Sequence, residues 1–540
     1  MKLDTLSALA ASAFVWLVAL PTVAIDKEET PTDFAISSIC KVEAHVAPGG
    51  GPNITIQSGM GTGGFPVATS NPQAQRWFDY GIKLFHAFYH DDARRAFDKA
   101  VEADSHCAMC LWGEGLSRGA NQNFDTSDDD VKQGLEMANK ALAASRTARE
   151  RALAQALIRR YSRARDVAAE RDFSADLLKA DDKTTDIKLV AGEALLIAWR
   201  RGDPHDPVDA QHAMSLIEPI LRQEPENTGA IHYYIHATEM AGQAPLALPY
   251  AEKLARLAPR ASHLVHMAAH TFIHVGRYED AATINAFALK VDADHFTDTR
   301  TAGLVSSAPY YGHNLVFGMA GTLLSGDRTL GLKFADHVHR AFAESDFAKD
   351  AESYLDFRRF VIYARFDPDR MMALPEPTQG PETVFWWHYA RGEVFAARHD
   401  AAGLAREAAA MKGEAPIKDV ARGVLAGRLA VLQGHYAEAA KDFEAAADKQ
   451  DAIVTGYDPP PWWYPVRRSA AAAWLLDGQY AKAVEAATAS LKIWPDEPMT
   501  LLIRSWAEDK AGRAADARHD EARAIGDWQG DLAKVDVTVI

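Results

Sequence analysis

Glu224-Pro225-Glu226-Asn227-Thr228-Gly229-Ala230-Ile231-His232-Tyr233-Tyr234-Ile235-His236-Ala237-Thr238-Glu239 is answered one period later by Pro259-Arg260-Ala261-Ser262-His263-Leu264-Val265-His266-Met267-Ala268-Ala269-His270. In both stretches a proline is followed by histidines at the seventh and eleventh positions, and the two prolines lie 34 residues apart. A period of this length marks a helix–turn–helix unit that cannot bury its apolar face alone and stacks on its neighbours. The histidines of each pair are four residues apart, so both imidazoles leave the same face of a helix. Two stacked helices then aim four imidazoles at one place, and their side chains are expected to converge within about 10 Å.

The punctuation extends this reading along the chain. Gly242 and Gly276 are 34 apart, as are Gly478 and Gly512. Small residues follow where paired helices must approach, at Ala247, Ala281, Ala483 and Ala517. Further turn–helix starts occur at His90-Asp91-Asp92-Ala93 and Gly434-His435-Tyr436-Ala437. A glycine before the turn, an alanine in the second helix and a closing proline resemble the tetratricopeptide repeat family over most of residues 75–525. The resemblance implies an all-α helical-repeat solenoid, here expected over 71–530. It also implies that the first helix of each unit lines a concave groove, with groove-facing positions about 4, 7, 11, 14 and 15 residues past the proline. It assigns no activity.

In that register, Pro225 places His232, His236 and Glu239 in the groove. Pro259 does the same for His263, His266, His270 and His274. The period then slips, because Pro309 lies 50 residues after Pro259. The 17 residues from Pro309 to Gly326 repeat the distance from Pro259 to Gly276, so a new unit begins at Pro309 and His313 takes the place of His263. The inserted residues near 294–308, including Asp294 and Asp298, are expected to form a loop over one mouth of the groove.

Neutral imidazole is the commonest nitrogen ligand, and a first-row ion wants several such donors at about 2.0–2.2 Å. The expected metal ligands are His232, His236, His263, His266, His270 and His313, for zinc, copper or iron. Glu239, one turn past His236, could take a proton from a bound water. Any one histidine in a helix is ordinarily a packed or hydrogen-bonded side chain. Seven of them facing one groove would leave many donors unpaired without a shared cation or acid. Three readings stay open: a metalloprotein whose open positions permit hydrolysis or oxidation, a non-enzymatic groove for a peptide or small molecule, and a metal-storage or delivery protein.

The flanks and composition set limits. Of 540 residues, 48% are hydrophobic and 24% charged, as in a folded protein, and the formal net charge of −16 argues against a nucleic-acid partner. Lys2 precedes an apolar run from Leu6 to Ala24 ending in Thr22-Val23-Ala24, which reads as a secretory signal (1–24) or an uncleaved anchor. A periplasmic or secreted location is expected, with no other membrane segment. Residues 25–70 are glycine-rich and are expected to be a flexible segment. Of the three cysteines, Cys107 and Cys110 form a CxxC read as a local disulfide or a redox pair, with Cys40 left over. His86 is placed where it could face the groove one wall away. Asp458-Pro459-Pro460-Pro461-Trp462-Trp463-Tyr464-Pro465 is expected to plug late repeats, and Arg467 and Arg468 could bind a carboxylate. Trp386-Trp387-His388 is expected to pack a helix.

Overall fold

A computed structural model describes residues 54–203, 206–299, 310–342, 348–378, 380–453 and 459–540. The expected signal segment, Cys40 and the later part of the expected insertion lie outside them. Among the described residues every element is an α- or 3-10 helix, and consecutive helices pack in antiparallel pairs. The fold is therefore an all-α helical-repeat solenoid of the tetratricopeptide type. No helix among the described residues is long and apolar enough to cross a membrane.

Local sequence sets the helix ends. The Asn71 and Asn227 side chains accept from the backbone N–H groups of Gln73 and Ala230, capping Pro72–His86 and Thr228–Met240. Thr147 and Glu150 form a reciprocal capping box on Ala148–Ser162. The turn glycines Gly242, Gly276, Gly326, Gly434, Gly478 and Gly512 all have φ between 68° and 81°, which explains their recurrence. The buried side chains fall into two main cores. One runs from the first repeats to Tyr310, Phe317 and Leu324 and takes in Trp494, and the other runs from Ala282 to the end of the chain.

Three helices of the first kind stand side by side: Thr228–Met240, the segment Ser262–His266 with Ala268–His274, and Tyr311–Ser325. The middle one breaks at Met267, whose N–H still bonds the His263 carbonyl at 3.0 Å. Pro72–His86 packs back against Thr228–Met240, so the first repeat closes the groove into an interior. Gly229 permits this approach, because a Cβ there would lie 3.1 Å from His86 Cγ.

Two expectations change. The glycine-rich stretch is not a loose linker over its described part. Ile54, Met60 and Phe65 are buried, and Thr62 exchanges hydrogen bonds with Thr228 at 2.8 and 2.9 Å. Its glycines serve close packing: a Cβ on Gly61 would sit 2.5 Å from Thr228 Oγ1, and one on Gly64 2.4 Å from Asp79. The expected insertion loop is helical through its first residues, since Tyr278–Thr299 runs on for 22 residues. Cys107 and Cys110 are disulfide-bonded and buried. Trp462, Trp463 and Tyr464 are buried among Phe357, Trp386 and Tyr389, which makes that insertion a packing plug. Arg468 pairs with the buried Glu497 at 2.7 Å, and Arg467 with Asp448 at 2.9 Å. The final residues return over Pro416–Leu432 and Val466–Leu476, where Arg428 donates to the Ile540 oxygen at 2.7 Å.

The contact that fixes Tyr311–Ser325 against its neighbour can be tested. A Cβ on Gly321 would lie 2.7 Å from both the Ala282 nitrogen and the Tyr278 oxygen, whereas one on Gly312 meets nothing within 4 Å. Gly321→Ala should lower unfolding free energy by about 1–3 kcal/mol by overpacking. Gly312→Ala should change it by less than about 1 kcal/mol, in the stabilising direction. Equal urea midpoints for the two variants would refute this packing.

Candidate metal centre

The three groove helices bring the histidines together as their offsets require. Ring centroids lie 5.1 Å apart for His232–His236, 5.0 Å for His236–His270, 4.9 Å for His266–His270 and 4.8 Å for His266–His313. His232, His236, His263, His266 and His270 are each at most 3% exposed. Potential ligand atoms of His232, His236 and His263 all lie within 4.8 Å of one another, as do those of His266, His270 and His313. A third grouping joins His236, Glu239 and His270.

The outer nitrogens are anchored. His232 Nδ1 donates to the His86 carbonyl at 2.7 Å. His266 Nδ1 lies 2.6 Å from Asn285 Oδ1, and Asn285 is oriented by donating its own amide to the Ala281 carbonyl at 2.6 Å. His270 Nδ1 donates to Glu239 Oε2 at 3.0 Å. Glu239 Oε1 also accepts from His274 Nε2 at 3.0 Å, and His236 Nδ1 stands 3.9 Å from Oε2. A neutral imidazole carries one proton. His266 and His270 both spend theirs on Nδ1, so their Nε2 atoms present lone pairs to each other at 2.9 Å. His232 Nε2 likewise presents a lone pair, 3.1 Å from His263 Nε2. Two nitrogens on one tetrahedral ion with bonds of about 2.0–2.1 Å would be about 3.3 Å apart, so these pairs need only a small opening to share a cation. The buried atoms His236 Nε2, His263 Nδ1 and His313 Nε2 have no hydrogen-bond partner. Orphaned nitrogens and facing lone pairs are what a bound cation would satisfy, so the residues fit a metal.

The walls are aromatic. Phe88 stacks on His263 at 5.0 Å and meets His232 edge-on at 4.4 Å. Tyr310 covers His263 at 4.1 Å, and Phe317 touches His266, His270 and His313. Phe88 occupies the turn position held by glycine in the repeats above, and its φ is +60°. That conformation costs an L residue about 1–2 kcal/mol.

Each expected site residue can now be placed. The six proposed ligands converge. Glu239 lies beside them with both oxygens engaged on imidazoles. His86 contributes its carbonyl, while its ring is held by Asp186 at 2.9 Å and the Tyr233 hydroxyl at 3.1 Å. Asn285, Phe88, Tyr310 and Phe317 were not expected from sequence. Only Phe88 left a signal, as a bulky residue where the turn register calls for glycine.

Burial shapes the electrostatics. It pushes the imidazolium form out of reach, lowering His232 to about 3 and His266 to about 4, and holding His236, His263, His270 and His313 well below the ordinary value. Burial alone would raise the Glu239 carboxyl, but the imidazoles of His236 and His274 overcome it and keep Glu239 below its usual range. Glu193, buried behind Tyr233, is pushed up to about 8.

No family model matches this sequence, and no curated protein does. Solved structures similar in fold include the TPR domain of P58(IPK), at 13% identity over 86% of this chain and 95% of that one, with a TM-score of 0.23. Human IFIT1 with m7Gppp-AAAA matches at 12% identity, covering 95% of this chain and 97% of that one, with a TM-score of 0.32. Yeast Tom70 matches at 12% identity over 86% and 93%, with a TM-score of 0.26.

The depressed histidines link stability to pH. Below about pH 6.5 the unfolded chain takes up protons that these groups refuse in the folded state, so their stabilising contribution is present above 6.5 and is lost as pH falls towards 4. Glu239 acts in the same direction at lower pH. Glu193 acts in the opposite direction, since it binds its proton in the folded state, as do carboxyls that burial raises elsewhere, such as Glu114 and Asp327, but seven depressed imidazoles, His90 included, act together against them. The metal-free protein should therefore lose unfolding free energy between pH 6.5 and 4 with a slope above about 1.4 kcal/mol per pH unit, more than one proton. Urea titrations at stepped pH would measure it, and a flat profile would show that the imidazoles are hydrated.

Proposed function

We propose that this chain is a metalloprotein whose repeat groove, closed by the first repeat, holds a transition metal on histidine. The observation that carries this reading is the 2.9 Å approach of His266 Nε2 and His270 Nε2 while both Nδ1 atoms stand 2.6 and 3.0 Å from oxygens of Asn285 and Glu239, an arrangement that assigns the ring protons to Nδ1. The ligands would be drawn from His232, His236, His263, His266, His270 and His313. Zinc, copper and iron all accept imidazole, and a bound ion would supply Lewis-acid or redox chemistry.

Of the two reaction classes, oxidation fits better than hydrolysis. Glu239 accepts from His270 and His274, and the imidazoles around it hold its carboxyl below the usual range, so here it orients those rings and is a weak base towards water. The aromatic walls of Phe88, Tyr310 and Phe317 limit water. An extended peptide is a poorer occupant, because the histidines are buried and the first repeat packs across them. We also propose export. The apolar run from Leu6 to Ala24 supports it, and the Cys107–Cys110 disulfide suits an oxidising compartment.

Protein purified without a histidine tag, or reconstituted with zinc, copper or iron after chelation, should retain metal through desalting. His236→Ala/His270→Ala should lose at least half of it with unchanged helical circular dichroism. Absence of metal in the wild type under every reconstitution would sink this reading, and full retention by the double variant would move the site elsewhere.

A further inference from the structure

We infer that the interior is a paired centre, with one ion on His232, His236 and His263 and a second on His266, His270 and His313. This rests on the metal-binding reading above and adds the number of ions and their relation. The two trios share no residue. More telling is how each is composed. The first takes the seventh and eleventh positions after Pro225 and the fourth after Pro259. The second takes the seventh and eleventh after Pro259 and the fourth after Pro309. Each trio is therefore the same construction, made at one step between adjacent repeats and repeated at the next.

The anchoring follows the same plan. The seventh-position histidine of each trio commits Nδ1 to an oxygen from another element: His232 to the His86 carbonyl, and His266 to Asn285. Its Nε2 faces a second member of its own trio, the fourth-position His263 at 3.1 Å in the first and the eleventh-position His270 at 2.9 Å in the second. Each trio also keeps a buried nitrogen without a partner, on His236 and His263 in the first and on His313 in the second. One shared ion would leave one of these sets unsatisfied. The grouping of His236, Glu239 and His270 takes a histidine from each trio, so it competes with the pair. Glu239 already serves His270 and His274 from the outer side.

The two sites adjoin. His236 lies 5.0 Å from His270 and His263 lies 5.8 Å from His266, centroid to centroid, so rings of one trio touch rings of the other. Three protein ligands on each ion leave positions open, and a small diatomic or anionic molecule could span them.

The test uses the full chain, stripped with chelator and titrated with copper(II). About two equivalents should survive desalting, and the electron paramagnetic resonance spectrum should show spin–spin broadening. His313→Ala should bind about one equivalent and give the narrow spectrum of an isolated copper(II), as should His232→Ala. One equivalent in the wild type would overturn the pair and leave a single metal centre standing. Two equivalents without spin interaction would place the second ion elsewhere and also overturn it. No copper or other metal retained would overturn the functional reading itself. The wild-type stoichiometry and broadening decide the matter even if a variant fails to fold.

Discussion

Proton allotment among buried imidazoles is the constraint on which the centre of this molecule depends. Each neutral ring has one proton and two nitrogens. His232, His266 and His270 direct that proton outward, to the His86 carbonyl, Asn285 and Glu239. Their other nitrogens must then face inward as lone pairs. In water such a cluster would be solvated, but here the rings are sealed behind Phe88, Tyr310 and Phe317. Desolvation also removes the easy escape of adding protons, because it disfavours imidazolium. On the proposed reading, a metal cation would resolve the conflict without disturbing any outward hydrogen bond.

The solenoid supplies the geometry cheaply. A repeat presents the same offsets to the same side at every step, so one favourable set of positions is reproduced by copying. The insertion after Pro259 would ruin this if the groove depended on an unbroken 34-residue count. It does not, because the extra length is taken up partly by extending Tyr278–Thr299, and Tyr311–Ser325 enters the groove in register. His313 consequently stands beside His266 and His270 as His263 stands beside His232 and His236.

The helical fold and the groove-facing histidines were legible because both follow from periodicity. The helix face and the repeat length together dictate which residues converge. What surrounds the histidines was not legible for equally physical reasons. Closure of the groove by Pro72–His86 is a contact between helices about 150 residues apart in sequence, and no local pattern records it. Asn285 sits on a second helix, outside the groove offsets, and reaches His266 only because Tyr278–Thr299 packs behind it. His86 was legible as a polar side chain near the groove, yet it acts through a backbone carbonyl that every residue possesses. The glycines at 59–64 read as flexibility, whereas their lack of Cβ lets the segment lie against Asp79, Ile82 and Thr228.

Phe88 shows how far the fold bends its own rule for this interior. Six turns place glycine at positive φ two residues before the next helix, Arg165 and His399 take that position in two others, and the first repeat places a phenylalanine there. The left-handed backbone costs about 1–2 kcal/mol, while burying a ring of this size contributes about 3–5 kcal/mol as judged from truncations. The exchange is favourable overall, yet a glycine at the turn with a large side chain elsewhere would avoid the strain. What glycine cannot provide is a ring at this spot. From the turn, Phe88 reaches His232, His236 and His263 together, and its own chain leads directly from the His86 carbonyl that orients His232. One strained turn thus helps to close the interior, follows directly on the carbonyl that fixes the His232 tautomer and keeps water from the lone pairs.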